Sequence, residues 1–430
     1  MTKLGTETCR TLGINGLGRI GKLALWLEVA GRRFDRIVVN TGRQVGQGLD
    51  DLLHYIAHDS TYGSLSRWLY GHRGGPGAMP PEPLIEVVDQ AGRDGSQHTV
   101  RIDGVEVRLL TRQRDPHEIG WVEHGVRVVA DTTGRFRDPT APSGTPGGSL
   151  QGHLEAGAQV VVASSPFKLN SSSRRPPDDS VMLIYGINHE AFDPTRHCLV
   201  SAASCTTTAL AHMILPLLAH ELTHRMLTAS MSTIHAATNS QSVLDTVPKA
   251  GARDQRKTRS VLNNIILTST NAAQALEQVL PEIATIGFLA DSVRVPIPTA
   301  SLIILNCTFQ SKLDAHGSSL INRDTINRIF TEHARSITSG IQFTDRQNVS
   351  TDMVGEQAAV VIEGAETHAR TGFTRVDLDE LGLPRELLGD RHEIEVPVTH
   401  LKLFGWYDNE LGSYTRRMCE LIHHIADRIG

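Results

Sequence analysis

An α/β fold in two domains is what the sequence predicts, on three observations: a glycine turn between a strand and a helix, short valine-rich runs with few charges, and a change of pattern near Ser201. Residues 12–15 read as a short buried strand. They run into Gly16, Gly18 and Gly21, after which residues 22–30 carry Leu23, Leu25, Trp26, Leu27 and Val29 and have helical character. Ile37, Val38 and Val39 mark the next strand at 36–40, so the first stretch is a βαβ unit, right-handed and parallel. Residues 126–130 and 159–163 are further valine-rich runs of the kind helices cover on both faces. From about Ser201, Leu210, Met213, Ile214, Leu217 and Leu218 repeat at helical spacing, and strand-like runs follow at 226–234 and 293–309. Pro216 lies inside the helical run and is expected to kink or end it nearby. The Gly/Pro-punctuated stretches at 72–83 and 139–148, and the polar ones at 171–179 and 377–393, read as surface insertions or loops.

The 430 residues are long for one core, and 40% hydrophobic with 21% charged residues is an ordinary globular composition. With 42 basic against 47 acidic residues the net charge is -5, which offers no footprint for nucleic acid or an anionic membrane. No stretch nears the roughly 18 apolar residues of a membrane span. The first ten residues, with Lys3, Glu7 and Arg10 and no apolar run, do not read as a signal peptide. A cytoplasmic protein with neither nucleic-acid nor membrane partners is expected. The five cysteines, Cys9, Cys198, Cys205, Cys307 and Cys419, are scattered and lack a CxxC pair, which argues against a disulfide framework and a cysteine zinc site.

Three constellations carry chemistry. In Gly16-x-Gly18-x-x-Gly21 the missing side chains permit a tight bend, close approach of a pyrophosphate and close helix packing, with a helix N-terminus facing the anion. The strand before it and the helix and strand after it make dinucleotide binding the favoured reading. The acid that usually accepts from the ribose 2′-OH is missing, because Asn40, Thr41 and Gly42 stand there; Arg43 follows, either pairing a 2′-phosphate or lying solvated. Second, Cys205 opens the helical run and His235 closes a strand-like one. A helix dipole and a neighbouring imidazole favour a thiolate nucleophile, although by spacing alone a core cysteine and a structural histidine are the commoner outcome. Third, His220-Glu221-Leu222-Thr223-His224 matches HExxH. Pro216 just before it and the want of a third ligand at a set spacing favour an exposed helix end over a metal site, and no metal is expected.

Residues 14–21 (Ile-Asn-Gly-Leu-Gly-Arg-Ile-Gly), 201–207 (Ser-Ala-Ala-Ser-Cys-Thr-Thr) and 406–410 (Trp-Tyr-Asp-Asn-Glu), in this order, resemble the phosphorylating glyceraldehyde-3-phosphate dehydrogenase family. Weaker likenesses at 59–60, 114–121, 133–134, 186–190, 262–270 and 294–296 extend the resemblance over almost the whole chain. Insertions near 64–84, 139–149, 170–180 and 377–396 make it longer than a typical member.

The resemblance implies a Rossmann-type dinucleotide-binding domain, residues 1–204 with a C-terminal helix at 410–430, and an α+β catalytic domain, 205–409, with an antiparallel or mixed sheet. It implies NAD(P)-dependent oxidation of glyceraldehyde 3-phosphate to 1,3-bisphosphoglycerate through a thioester on Cys205, with His235 as base, inorganic phosphate as acceptor, and a homotetramer. Thr238 and Arg294 look like ligands of the substrate phosphate. Ser204, Thr206 and Thr270, with Asn271 where a glycine is usual, look like ligands of the attacking phosphate. Asn15, Gly16, Gly18, Arg19, Ile20, Gly21, Thr41, Arg43, Arg114, Thr133, Gly134 and Ser164 look like cofactor contacts, and Asn409 like the residue that orients the nicotinamide carboxamide. Gln274, Ile297 and Ser413 depart from the family pattern, the last where an aromatic residue often lies near the nicotinamide. The loop at 245–259 carries Arg253, Arg256, Arg259, Lys249 and Lys257 and matches one that reaches a neighbouring subunit's cofactor site. The cofactor is NAD or NADP, with NADP or dual use favoured. Erythrose 4-phosphate as substrate, arsenate as acceptor, and a non-catalytic regulatory descendant are the alternatives.

Overall fold

In the computed structural model, residues 10–71, 84–89, 96–169, 176–336, 338–382, 384, 386 and 391–430 are described. Residues 1–9, with Cys9, and the whole stretch at 72–83 lie outside them, as do parts of the insertions at 170–180 and 377–396. The chain divides into two compact units, residues 1–205 with 410–430, and 206–409.

The first unit opens with β1 (Thr11–Asn15), α1 (Arg19–Gly31), β2 (Arg36–Asn40) and α2 (Leu49–Ala57). A two-residue hairpin, β3 (His58–Asp59) and β4 (Gly63–Ser64), leads into α3 (Leu65–Tyr70). Then come β5 (Ile85–Asp89), β6 (Gln97–Ile102), β7 (Val105–Leu110), β8 (Val126–Asp131), α4 (Leu150–Glu155), β9 (Val160–Ala163), β10 (Ser180–Met182) and β11 (Leu199–Ser201). Among the described residues these form one sheet in the order β10-β11-β9-β8-β1-β2-β7-β6-β5. The pairs from β10 to β7 are parallel, and β6 and β5 add antiparallel edge strands. The valine-rich runs are buried on both faces: Val128, Ala130, Val160 and Val162 join Leu12, Ile14 and the helix residues Trp26 and Ile425, while Val129 and Val161 face Trp121 and Leu150. Strand order reverses at β1, which sits between β2 and β8, so a crevice opens at the carboxyl ends of these strands.

The second unit holds α5 (Cys205–Ala219) apart from its first residue, then β12 (Met226–Ala236), β13 (Ile266–Thr268), α6 (Ala272–Val279), β14 (Gly287–Val295) and β15 (Ser301–Gln310). It ends with α7 (Arg323–His333), β16 (Ile341–Thr344), β17 (Val360–Glu363), β18 (His368–Asp377) and β19 (Glu393–Tyr407). The sheet is mixed, in the order β13-β14-β12-β15-β19-β17-β16, with β18 paired to β19. A π-helical turn, Leu411–Arg416, and α8 (Arg417–Arg428) return to the first unit.

The expected α/β fold is thus present, with local differences. The strand-like run at 293–309 is two strands, because Pro296 and Pro298 interrupt it and Ala300 takes a positive φ of 67°. Helix α5 runs through Pro216 and stops three residues later, at Ala219. The stretch at 377–393 is the connection of the long β18–β19 hairpin, which pairs from His368 with Lys402 to Asp377 with Glu393. No helix of the described residues is long and apolar enough to cross a membrane.

Candidate active site

The crevice of the first unit is built at the end of β1. Gly16 has φ +95°, and its N–H donates to the Asn40 carbonyl at 2.8 Å. A Cβ on Gly21 would collide with the Gly16 carbonyl oxygen and lie 2.6 Å from Thr132 Oγ1, whereas one on Gly18 would meet nothing within 4 Å. The turn therefore closes tightly at Gly21 and leaves open space at Gly18, the N-cap of α1. That helix start has no side-chain cap and no acid in its first turn, so its N–H groups suit an anion such as a pyrophosphate. Thr132 Oγ1 donates to the Gly16 carbonyl at 2.6 Å, Thr133 Oγ1 to Asp131 Oδ1 at 2.7 Å, and Ser164 N to the Asp131 carbonyl at 2.8 Å. Gly134 follows with φ +64°. Ile20 is half-buried against the core.

Two of the expected contacts turn inward. Asn15 donates from Nδ2 to Asp131 Oδ2 at 2.8 Å and accepts from Asn40 Nδ2 at 2.8 Å. Its amide thus ties the tips of β1, β2 and β8 together. Arg19 pairs with Asp59 Oδ2 at 2.6 Å and with Glu410; burial would lower its pKa, but the two carboxylates outweigh that and raise it. Asp59 also meets the buried Lys22 at 2.8 Å. Burial alone would raise the Asp59 carboxyl, yet Lys22, the Thr61 and Tyr62 N–H groups and Arg19 hold it below its usual range. Removing one partner leaves a buried, uncompensated charge, so Asp59→Asn is expected to cost about 3–5 kcal/mol. Thermal unfolding checks this as a midpoint lowered by roughly 10 °C.

At the tip of β2 the Thr41 hydroxyl donates to the Arg43 carbonyl at 2.6 Å, and Arg114 Nε to the Gly42 carbonyl at 3.2 Å. A cavity of about 580 Å³ opens here, with Arg43, Arg112, Arg114, His98 and Gln44 in its lining and no acid among the described lining residues. Arg112 escaped the sequence reading; the signal was Arg112-x-Arg114, two cations on one side of an extended segment just past β7.

Cys205 is presented from a strained turn. After β11, Ala202 N donates to the Ala163 carbonyl at 3.0 Å; Ala203 N donates to Ser201 Oγ at 3.1 Å, and that hydroxyl donates to the Ser165 carbonyl at 2.8 Å. Ala203 is buried with φ +56°, a left-handed conformation that costs an alanine about 1–2 kcal/mol. Ser204 and Cys205 follow, both half-buried, the thiol standing on the first residue of α5 and in no disulfide. Ser413, where an aromatic residue was looked for, is buried in the π-helical turn, and the aromatic residue comes one position later. Tyr414 donates from its hydroxyl to the Ala203 carbonyl at 3.2 Å. Burial and the adjacent Cys205 push that hydroxyl well above its ordinary pKa. No residue pattern around Ser413 announced this; a one-residue π insertion is visible only as a hydrogen bond from Thr415 N to the Glu410 carbonyl.

In the second unit His235, 4% exposed, lies beside Arg294, its partner in the β12–β14 register. An Arg294 Nη contacts His235 Nδ1 and donates to the Ala236 carbonyl at 3.1 Å, and His235 Nδ1 lies 2.8 Å from that same carbonyl. Burial, then the guanidinium, pull the imidazole down to about 3, so the His235 ring is neutral at any physiological pH. Thr206 and Thr233 both hydrogen-bond the Tyr407 hydroxyl, at 3.0 and 2.8 Å. Asn409 Oδ1 accepts from Ser301 Oγ at 3.0 Å and Thr299 Oγ1 at 3.2 Å, which assigns its oxygen and leaves Nδ2 as the donor end. Thr238 is exposed, its hydroxyl with Ser240 and Gln241. Thr270 and Asn271 lie past the end of β13, where Thr268 pairs with Ser292; Arg294 pairs at the other end, with Ile266. Thr270 Oγ1 accepts from Ala272 N at 3.2 Å, and Asn271 is the N-cap position of α6.

The HExxH segment lies beyond the end of α5, in a turn where His220 Nδ1 accepts from Leu222 N at 3.2 Å, so its histidines do not share a helix face. Another trio, His189, Glu190 and His424, brings its ligand atoms within 4.8 Å of one another. There the Gly186 N–H donates to His189 Nδ1 at 3.1 Å and Arg428 to His424 Nδ1 at 3.0 Å. Both Nδ1 atoms are thus engaged as acceptors.

A family model described as the C-terminal domain of glyceraldehyde 3-phosphate dehydrogenase matches residues 204–377. The chain is 30% identical over 422 residues to "Glyceraldehyde-3-phosphate dehydrogenase" of Kitasatospora aureofaciens, covering 97% of this chain and 99% of that protein. It is 28% identical over 420 residues to "Glyceraldehyde-3-phosphate dehydrogenase 2" of Bacillus subtilis (strain 168), covering 97% of each.

Proposed function

The chain belongs to the glyceraldehyde-3-phosphate dehydrogenase family, and from that premise we propose that it oxidises glyceraldehyde 3-phosphate and inorganic phosphate to 1,3-bisphosphoglycerate with a nicotinamide dinucleotide. The observation that carries this reading is Cys205, set on the first residue of α5 by the strained turn at Ala203. In the proposed chemistry the Cys205 thiolate attacks the aldehyde carbon, a C–S bond forms and the carbonyl oxygen gains the proton that the thiol gave up. The Gly16–Gly21 turn, Thr133, Gly134 and Ser164 would hold the dinucleotide, which supplies the hydride acceptor when bound. His235, neutral before the reaction, takes the hydroxyl proton as the hydride leaves the former aldehyde carbon, so that a thioester remains on Cys205. A phosphate oxygen then attacks the acyl carbon and Cys205 departs as thiolate. Ser204, Thr206, Thr270 and Asn271 are assigned to that phosphate, Thr238 and Arg294 to the substrate phosphate, and Asn409, through its Nδ2 donor, to the carboxamide.

NADP is the favoured dinucleotide, with NAD second. Thr41 stands where an acid would repel a 2′-phosphate, and Arg43, Arg112 and Arg114 line a cavity at the same strand ends. The proposed assembly is a homotetramer in the cytoplasm; Ile265, Leu267 and Leu289, apolar and exposed along the β13–β14 edge, support self-association.

Absorbance of the reduced nicotinamide tests the reading, with glyceraldehyde 3-phosphate crossed against NAD or NADP and against phosphate, arsenate or neither. Turnover is expected only with phosphate or arsenate, and faster with NADP. Arg112→Ala is expected to lower kcat/KM for NADP about tenfold and leave NAD unchanged. No turnover in any combination, with Cys205 still alkylated by iodoacetamide, would reject the substrate and send the search to erythrose 4-phosphate.

A further inference from the structure

We propose that Tyr414 is a positioning residue for the nucleophile: its hydroxyl, bonded to the Ala203 carbonyl, clamps the left-handed turn from which Cys205 enters α5. This rests on the reading of Cys205 as the nucleophile.

The turn needs such a clamp. An alanine at φ +56° relaxes toward negative φ unless its neighbours are tied. The two N–H groups of Ala202 and Ala203 are tied to the Ala163 carbonyl and Ser201 Oγ. On the carbonyl side the 3.2 Å bond from Tyr414 completes the set. Every atom of Ala203 is buried, so water does not replace a lost donor, and an unpaired carbonyl would favour a different turn.

The delivery of Tyr414 is itself built. Thr415 N reaches back five residues to the Glu410 carbonyl at 3.1 Å, and the Thr415 hydroxyl donates to the same oxygen. The extra residue of this π turn rotates Tyr414 relative to its place in a plain α-helix. Glu410, the anchor of the turn, has its carboxylate paired with Arg19, the first residue of α1. A line of residues thus runs within the first unit from the glycine turn through Arg19, Glu410 and Thr415 to the neighbouring Tyr414 and on to Ala203. The Tyr414 hydroxyl, held protonated by burial and by Cys205, remains a donor throughout the working pH range.

The test uses the full chain carrying Tyr414→Phe, alone and combined with Ala203→Gly. Phenylalanine keeps the packing and removes only the donor. The expected result is a fall of about tenfold in both kcat and the iodoacetamide alkylation rate of Cys205, with KM for the aldehyde within about twofold. Glycine adopts positive φ without Cβ crowding, so the double variant is expected to regain most of both losses. Two results overturn the proposal: Tyr414→Phe with wild-type kcat and alkylation rate, or a double variant no better than Tyr414→Phe, which would place the hydroxyl on the thiol rather than on the turn. Alkylation reads the turn without turnover, so an error in the proposed substrate leaves that arm of the test intact. A Cys205→Ser protein that still turns over would instead remove the reading on which it rests.

Discussion

Cys205→Ser is expected to lower kcat by at least about 10³-fold while leaving dinucleotide affinity unchanged, because the hydroxyl keeps the shape of the thiol and loses its nucleophilicity. Stopped-flow absorbance reads the first, and quenching of intrinsic fluorescence by the dinucleotide reads the second. His235→Asn is expected to lower kcat by about 10²–10⁴-fold without touching the thiol. The pH dependence distinguishes the two groups. Burial and Arg294 pull the folded imidazole down to about 3, against about 6.5 in the unfolded chain, so kcat shows no imidazole limb between pH 5 and 8. Between these two values the unfolded state binds the proton and the folded state does not. Stability from this group is therefore present above pH 6.5 and is lost as pH falls toward 3. The Asn variant is expected to lose less thermal stability than wild type across that window. A wild-type profile with an acid limb near 6.5 that disappears in the Asn variant would contradict the assignment of His235 as a neutral base.

Gly21→Ala and Gly18→Ala separate folding from binding at the phosphate turn. At Gly21 the new Cβ would drive into the Gly16 carbonyl oxygen and crowd Thr132 Oγ1. The Gly16 carbonyl belongs to a backbone already held by hydrogen bonds to Asn40 and Thr132, so the tighter of the two clashes is not relieved by a flexible side chain. The expected cost is about 1–3 kcal/mol of stability, read as a lower thermal midpoint, together with loss of measurable dinucleotide binding. At Gly18 the Cβ enters open space. The protein is expected to keep its wild-type midpoint and to lose at least about tenfold in dinucleotide affinity, because the methyl group occupies the approach to the α1 N-terminus. Unchanged affinity in Gly18→Ala would show that the pyrophosphate does not sit over this turn.

Much of the fold was legible because its signals are local. The glycine spacing, the valine-rich runs that bury both faces of a parallel sheet, and the start of α5 at Cys205 are all contained in windows of a few residues. One run was misjudged: 293–309 is apolar enough to read as one strand, yet two prolines and the positive φ of Ala300 divide it. The polar stretch at 377–393 joins the strands of a hairpin, as a loop reading expects, but the pairing of its flanks is visible only in the register of β18 with β19.

What the sequence determined by itself is the set of segments that carry chemistry and the family to which they belong, since each is a contiguous pattern with its own conformational demand. What only the tertiary structure decided is how those segments are held and tuned. Arg294 stands 59 residues from His235 and meets it through strand register; Tyr414 is 211 residues from Ala203 and reaches it through a π turn. Asn15 and Arg19 read as cofactor contacts in the sequence, yet their side chains are spent on Asp131, Asn40, Asp59 and Glu410. Charge, burial and backbone strain at these positions come from residues far apart in the chain. A local window specifies which groups are available, and only the packed chain specifies which of them lose water and meet.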